Sequence, residues 1–206
     1  MPTTANLSLT SFTVPDPNIC TGGWYRTQMQ QYLAQVFDLP AHTWLKDGAA
    51  PAAIGTPAGT SLGLLGGTFG TNGISVASVD EASNAGAHTC YAVRNFVLPH
   101  NYKADGAIQL TFVGVMATAA DASSNADVEA FLLGSDGDPT GSDLVSTSAQ
   151  AITDTAGVKT FTIDGTGLSA GDELALRIST IINDAATGSG VIAHLKKIRM
   201  LLTTQG

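Results

Sequence analysis

Charge is scarce in this chain. Only 13% of its 206 residues are Asp, Glu, Lys or Arg, about half the usual share, so little of the folded surface can be solvated by charge and much of it is open to contact with another molecule. Basic residues are the scarcer sign, nine against seventeen acidic ones, for a formal net charge of −8. A nucleic-acid groove needs clustered cations to displace counterions from phosphate. The basic cluster Lys196, Lys197 and Arg199 falls inside a strand-like run, where it reads as a solvated strand face. No nucleic-acid partner is expected.

Cysteine is nearly missing as well. Cys20 and Cys90 form no CxxC pair and no disulfide framework, and read as small buried apolar groups rather than ligands. No apolar run reaches the roughly eighteen residues that cross a bilayer, and the opening MPTTANLSLTSFTV has neither a basic stretch nor a continuous apolar core. Neither a membrane partner nor a secretory signal is expected, and the protein is read as cytoplasmic until it is assembled into something larger. Aromatics make up 6% of the chain, and both tryptophans, Trp24 and Trp44, lie in its amino-terminal part. This leaves the rest without an indole to stack on a sugar ring.

Catalytic constellations are thin. His42, His88, His100 and His194 show no metal-ligand spacing, and no paired carboxylates sit in an apolar setting. The segment GTSLG, 59–63, matches G-x-S-x-G with Ser61 as nucleophile, but it lies between a Pro/Ala linker and LLGGTFG rather than between a strand and a helix. GLLGGTFGTNG lacks the Lys-Ser/Thr ending of a phosphate-cradling loop. GSDGDPTGSDLV gathers Asp136, Asp138 and Asp143, oxygen donors of the kind Ca²⁺ takes, without the spacing or closing Glu of an EF-hand; it reads as a turn. No catalytic residue, cofactor or metal is expected, and the chain reads as a non-enzyme.

What is present is alternation. Beyond residue 60, ISVASV, HTCYAVRNFVLP, GAIQLTFVGVMA, ADVEAFLLG, VKTFTID, DELALRISTII and SGVIAHLKKIRMLLT are strand-like runs bounded by Gly, Asn, Asp and Pro, with a weaker one in SDLVSTSAQAIT. Such a series predicts an all-β antiparallel sandwich over 61–206 with Leu110, Phe112, Phe161, Ile163, Leu174, Leu176 and Ile178 in its core. In the last run the apolar phase switches between Leu195 and Ile198, which predicts a β-bulge near Lys196 and Lys197. Residues 1–60 read as a separate unit: an extended arm, one short amphipathic helix in WYRTQMQQYLAQVFDLP and a Gly/Pro/Ala linker. In that helix Tyr25, Met29, Tyr32, Val36 and Phe37 share a face suited to docking on a partner.

The succession SLGLLGGTFGTNG, YAVRNFVLPHNYKADGAIQL, ADVEAFLLGSDGDPTGSDLVSTSAQAI and FTIDGTGLSAGDELALRISTIINDAATGSGVIAHLKKIRMLL resembles a family of jelly-roll structural proteins of tailed bacteriophages. The resemblance implies a jelly roll, no catalytic residue, and a virion protein made in the host cytoplasm. It would most simply be a capsid decoration protein, homo-oligomeric and possibly trimeric, bound to the major capsid protein or other virion proteins. The alternative function is a carbohydrate- or receptor-binding module of a spike or fibre.

Overall fold

The structure is a computed structural model that describes residues 32–48, 51–66, 73–81, 87–118, 123–184 and 190–205. Its strands are β1 (Tyr32–Asp38), β2 (Gly63–Leu65), β3 (Ser75–Ala77), β4 (His88–Val97), β5 (Ile108–Met116), β6 (Ser123–Leu133), β7 (Pro139–Thr140), β8 (Gln150–Ala151), β9 (Gly157–Ile163), β10 (Glu173–Asn183) and β11 (Ala193–Gln205). Among the described residues the helical element is one 3₁₀ turn, Ala41–Thr43.

The strands form two antiparallel sheets. One runs β2-β3-β11-β5-β9, with β1 also on β11; the other runs β4-β10-β6-β7, with β8 also on β6. From β3 to β6, and again from β9 to β11, each strand lies in the sheet opposite to its predecessor. The long strands thus interleave as β3-β11-β5-β9 facing β4-β10-β6-β8, which is the jelly-roll arrangement of two Greek keys.

Alternation explains this build strand by strand. In β5 every second residue, Ile108 to Met116, is buried; β6 follows the same rule from Ser124 to Ala130, and β10 follows it except that Ser179 is also buried. The seven predicted core residues are all at most 1% exposed. Phe112 and Phe161 stack at 5.5 Å between ring centroids. The β11–β5 register shifts between Lys196 and Arg199, with Lys197 at φ 52°, so the predicted bulge is present and moves Ile198, Met200 and Leu202 onto the buried face.

The amino-terminal unit differs from its reading. Tyr25 and Met29 lie outside the described residues, but Tyr32, Val36 and Phe37 are in strand β1, paired from Tyr32↔Gln205 to Asp38↔Arg199. A short apolar run fits a strand or a helix, and the exposed ladder of the long strand β11 decides for the strand. Val36 and Phe37 therefore point to opposite faces: Val36 is 52% exposed, while Phe37 packs edge-on against Phe96 at 5.8 Å. Nor does the sandwich begin at 61. Leu39, Trp44 and Ile54 are core residues, with Trp44 fully buried. Leu45 exchanges two backbone hydrogen bonds of 2.9 Å with Val93, laying this segment along the free edge of β4.

Candidate functional site

The outer face of the β4-β10-β6 sheet is where side chains of functional type collect. Because most inward residues of these strands are apolar, the intervening residues point away from the core. Register sets them in rows: Tyr91 beside Ser179 and Asp127, Val93 beside Arg177 and Glu129, Asn95 beside Ala175 and Phe131.

Arg177 organises the middle row. Its Nε donates to Glu129 Oε2 and its Nη1 to Asp47 Oδ2 at 3.3 Å, and its guanidinium lies over the Tyr91 ring, 4.9 Å from the centroid. The Glu129 hydrogen bond holds its pKa above the ordinary arginine value, against the opposing effect of burial. Asn95 Nδ2 donates to Glu173 Oε1 at 2.9 Å. Burial raises the Asp127 carboxyl above the usual aspartate value, opposed by the Val128 N–H that its Oδ1 accepts at 2.9 Å.

These groups border a groove of about 280 Å³ whose walls include Val93, Asn95, Glu129, Phe131, Pro139 and Ala175. Its floor is apolar and its rim carries a carboxylate, a guanidinium and an amide. Strand geometry puts Tyr91 and Phe131 about 16 Å apart on a diagonal across this face. Val97, 56% exposed, extends the apolar strip at one end. Asp47, Asp127, Glu129 and Glu173 surround the one Arg177 in this set, so the face disfavours anionic ligands.

The aspartates singled out in sequence lie elsewhere. Asp136 Oδ1 accepts from the Asp138 N–H at 3.2 Å within the β6–β7 turn, whereas Asp143 Oδ1 accepts from Ala130 N at 2.9 Å and Val145 N at 3.0 Å. Asp136 and Asp143 thus serve as backbone acceptors in separate places. Ser61 is not on a nucleophile elbow: Gly59 takes φ 55° in a turn, and Gly63 opens β2, where a Cβ would come within 2.2 Å of Pro57 N. Structure alone accounts for both glycines of that motif. Among the described residues no hydrogen bond links Ser61 to a histidine.

Sequence reasoning passed over Tyr91, Asn95, Glu129, Phe131 and Arg177. Their signal was the outward phase of runs already identified as strands, but the pairing that brings Glu129 to Arg177 spans 48 residues and is not written in either run.

Family models and curated protein sequences offer no match to this chain. Among solved structures it is similar to the xylan-binding module CBM15, at 17% identity and a TM-score of 0.47 over 84% of this chain and 99% of that one. It is also similar to the CBM22-1 xylan-binding domain of Paenibacillus barcinonensis Xyn10C, at 10% identity and a TM-score of 0.45 over 86% and 97%. The mannan-recognising module TmCBM27 matches at 13% identity and a TM-score of 0.41 over 84% and 99%. At such identities the likeness is one of β-sandwich build.

Proposed function

We propose that this protein is a non-catalytic carbohydrate-binding sandwich that takes a neutral oligosaccharide along the outer face of β4, β10 and β6. The observation that carries this reading is the groove beside Phe131, in which a half-buried aromatic and an aliphatic floor meet Glu129, Arg177 and Asn95 at the rim. A sugar ring has both kinds of surface. Its C–H faces lie on Phe131, Val93 and Ala175, while its hydroxyls donate to Glu129 and accept from Arg177 and Asn95. The Arg177–Glu129–Asp47 network fixes the rim groups before a ligand arrives, which lowers the ordering cost of binding. The surplus of carboxylates selects uncharged chains over sulfated or carboxylated ones, and the length of the strip suits several linked rings rather than one.

The test is migration through native gels containing neutral polysaccharides (xylan, mannan, β-glucan, arabinan), with an acidic polysaccharide as the negative arm. Retardation by at least one neutral gel is expected, and Phe131→Ala should weaken it about tenfold, a loss of roughly 1.4 kcal/mol. Free migration in every neutral gel, or retardation unchanged by the substitution, contradicts the assignment.

A virion location, implied by the phage resemblance, is a separate proposal supported by the exposed Val36 on β1, which pairs with β11. Mass spectrometry of purified particles tests it, with the protein present at stoichiometric level expected and its absence opposing it.

A further inference from the structure

Three side chains of different donor type converge where β4 begins, on the inner side of the sheet that carries the groove. His88 and Cys90 are two apart on β4 and so share a face. Glu81 is held beside them by a bridge to Val191, with two backbone hydrogen bonds of 3.0 Å. Glu81 Oε1, His88 Nδ1 and Cys90 Sγ all lie within 4.8 Å of one another; Glu81 Oε1 is hydrogen-bonded to His88 Nδ1, and Cys90 Sγ is 4.0 Å from the same nitrogen. Cys90 is 1% exposed and Glu81 6%, whereas the His88 side chain is 26% exposed.

A Glu–His hydrogen bond explains two of these residues, and core filling by a small sulfur side chain would explain the third. Cys90 Sγ also donates to Gly59 O at 3.7 Å, a contact that metal binding exchanges for the ion. Neither reading explains Thr180, the register partner of Cys90 on β10, which is fully buried with its Oγ1 lacking a hydrogen-bond partner among the described residues. One carboxylate, one imidazole and one thiol within reach of a single point form the mixed donor set that a borderline-soft divalent ion accepts.

We propose that Glu81, His88 and Cys90 bind one Zn²⁺-like divalent cation, with the fourth position open to water through the exposed edge of His88. Binding exchanges a proton for the metal: the Cys90 S–H bond breaks, a sulfur–metal bond forms and the proton passes to solvent. His88 binds through the lone pair of neutral Nδ1, Glu81 as carboxylate, and no electrons are transferred. Tetrahedral zinc keeps such donors about 3.3–3.7 Å apart, so Cys90 Sγ and His88 Nδ1 close slightly while the Glu81–His88 contact opens. The ion would clip the Glu81 segment, bridged to the residues that lead into β11, onto β4 of the opposite sheet. Because the groove lies on the other face of β4, the two proposals fail independently.

The test uses the full chain, reduced and stripped of metal with a chelator, and Zn²⁺ or Co²⁺ alone as probe. Competition against a chromophoric chelator should show one Zn²⁺ per chain, with at least a tenfold loss of affinity in His88→Gln and in Glu81→Gln. Co²⁺ should give a thiolate-to-metal absorption band that is retained in Cys20→Ser and lost in Cys90→Ser. Zn²⁺ should raise the thermal midpoint of the unmodified chain. If Cys90→Ser does not fold, Cys20→Ser decides alone, since Cys90 is then the sole thiol: a band sustains the site and its absence overturns it. No Zn²⁺ uptake at micromolar concentration, or a Co²⁺ band that survives Cys90→Ser, also overturns it.

Discussion

The two outer faces of this sandwich carry different chemistry over similar interiors. Beneath both lie close-packed Leu, Ile, Val, Phe and Ala. Over the β11-β5-β9 sheet the rows read Arg199 beside Thr111 and Thr160, then Leu201 beside Gln109 and Thr162. Threonines dominate these rows, the one cation, Arg199, is paired with Asp38 of β1 at 2.8 Å, and no aromatic faces outward in them. Over the β4-β10-β6 sheet, carboxylates, an amide and two aromatics gather around one arginine. Folding requires the inner pattern only, since an outward position on either sheet is satisfied by any soluble residue that tolerates a strand. The contrast between the faces is therefore not required by stability, and it is consistent with the proposed recognition on one side.

Breaking the shared interior should have the largest effect. Trp44→Ala removes a fully buried indole and should lower unfolding stability by about 3–5 kcal/mol, read from a urea transition. For the same reason, deletion of residues 1–48 should unfold the chain.

Arg177→Met sharpens the contrast on the groove side. Asp47, Glu129 and Arg177 are each about a third exposed, so their ion pairs are screened by solvent and the stability cost should be about 1 kcal/mol or less. Saccharide retention should nevertheless be lost in the gel assay, because the rim loses its donor and the cap over Tyr91. A variant that unfolds easily but still binds would reverse this division between stability and recognition.

Two smaller effects belong to the opposite sheet. Lys197→Gly at φ 52° relieves a left-handed conformation and should stabilise the chain by about 1 kcal/mol in the same urea titration, with saccharide binding unchanged. His194, whose Nδ1 lies 2.9 Å from Ser75 Oγ, has its pKa lowered by burial and then by Lys196. A lowered folded value means that the unfolded chain takes up the proton first. Its contribution is complete above the unfolded value near 6.5 and is lost as pH falls through the folded one. The thermal midpoint should therefore drop between pH 7.5 and 5.5 by less in His194→Gln than in the unmodified chain.

Much of the fold was legible because burial repeats locally. The alternation in β5 and β10 named its own inward residues, and even the bulge at Lys197 showed itself as a phase change within one run. The strand at Tyr32–Asp38 was hidden because seven residues of mixed pattern carry no period strong enough to outweigh a partner strand at the far end of the chain, Arg199 to Gln205. The groove was less legible still. Tyr91, Glu129 and Arg177 come from three separate runs, and only the β4-β10-β6 register makes them neighbours. His88 and Cys90, adjacent on one strand face, were the part of the cation cluster that sequence could show; Glu81 joins them through a bridge to Val191 that no local pattern announces.

The central claim is that recognition belongs to one face, and backbone amide chemical shifts during titration with the best-retained oligosaccharide test it most directly. The account predicts that the shifting resonances cluster at Tyr91, Val93, Asn95, Glu129, Phe131 and Arg177, with Thr111, Thr160 and Arg199 unmoved. Shifts concentrated on the β11-β5-β9 face or in the loops at the ends of the sandwich would contradict it.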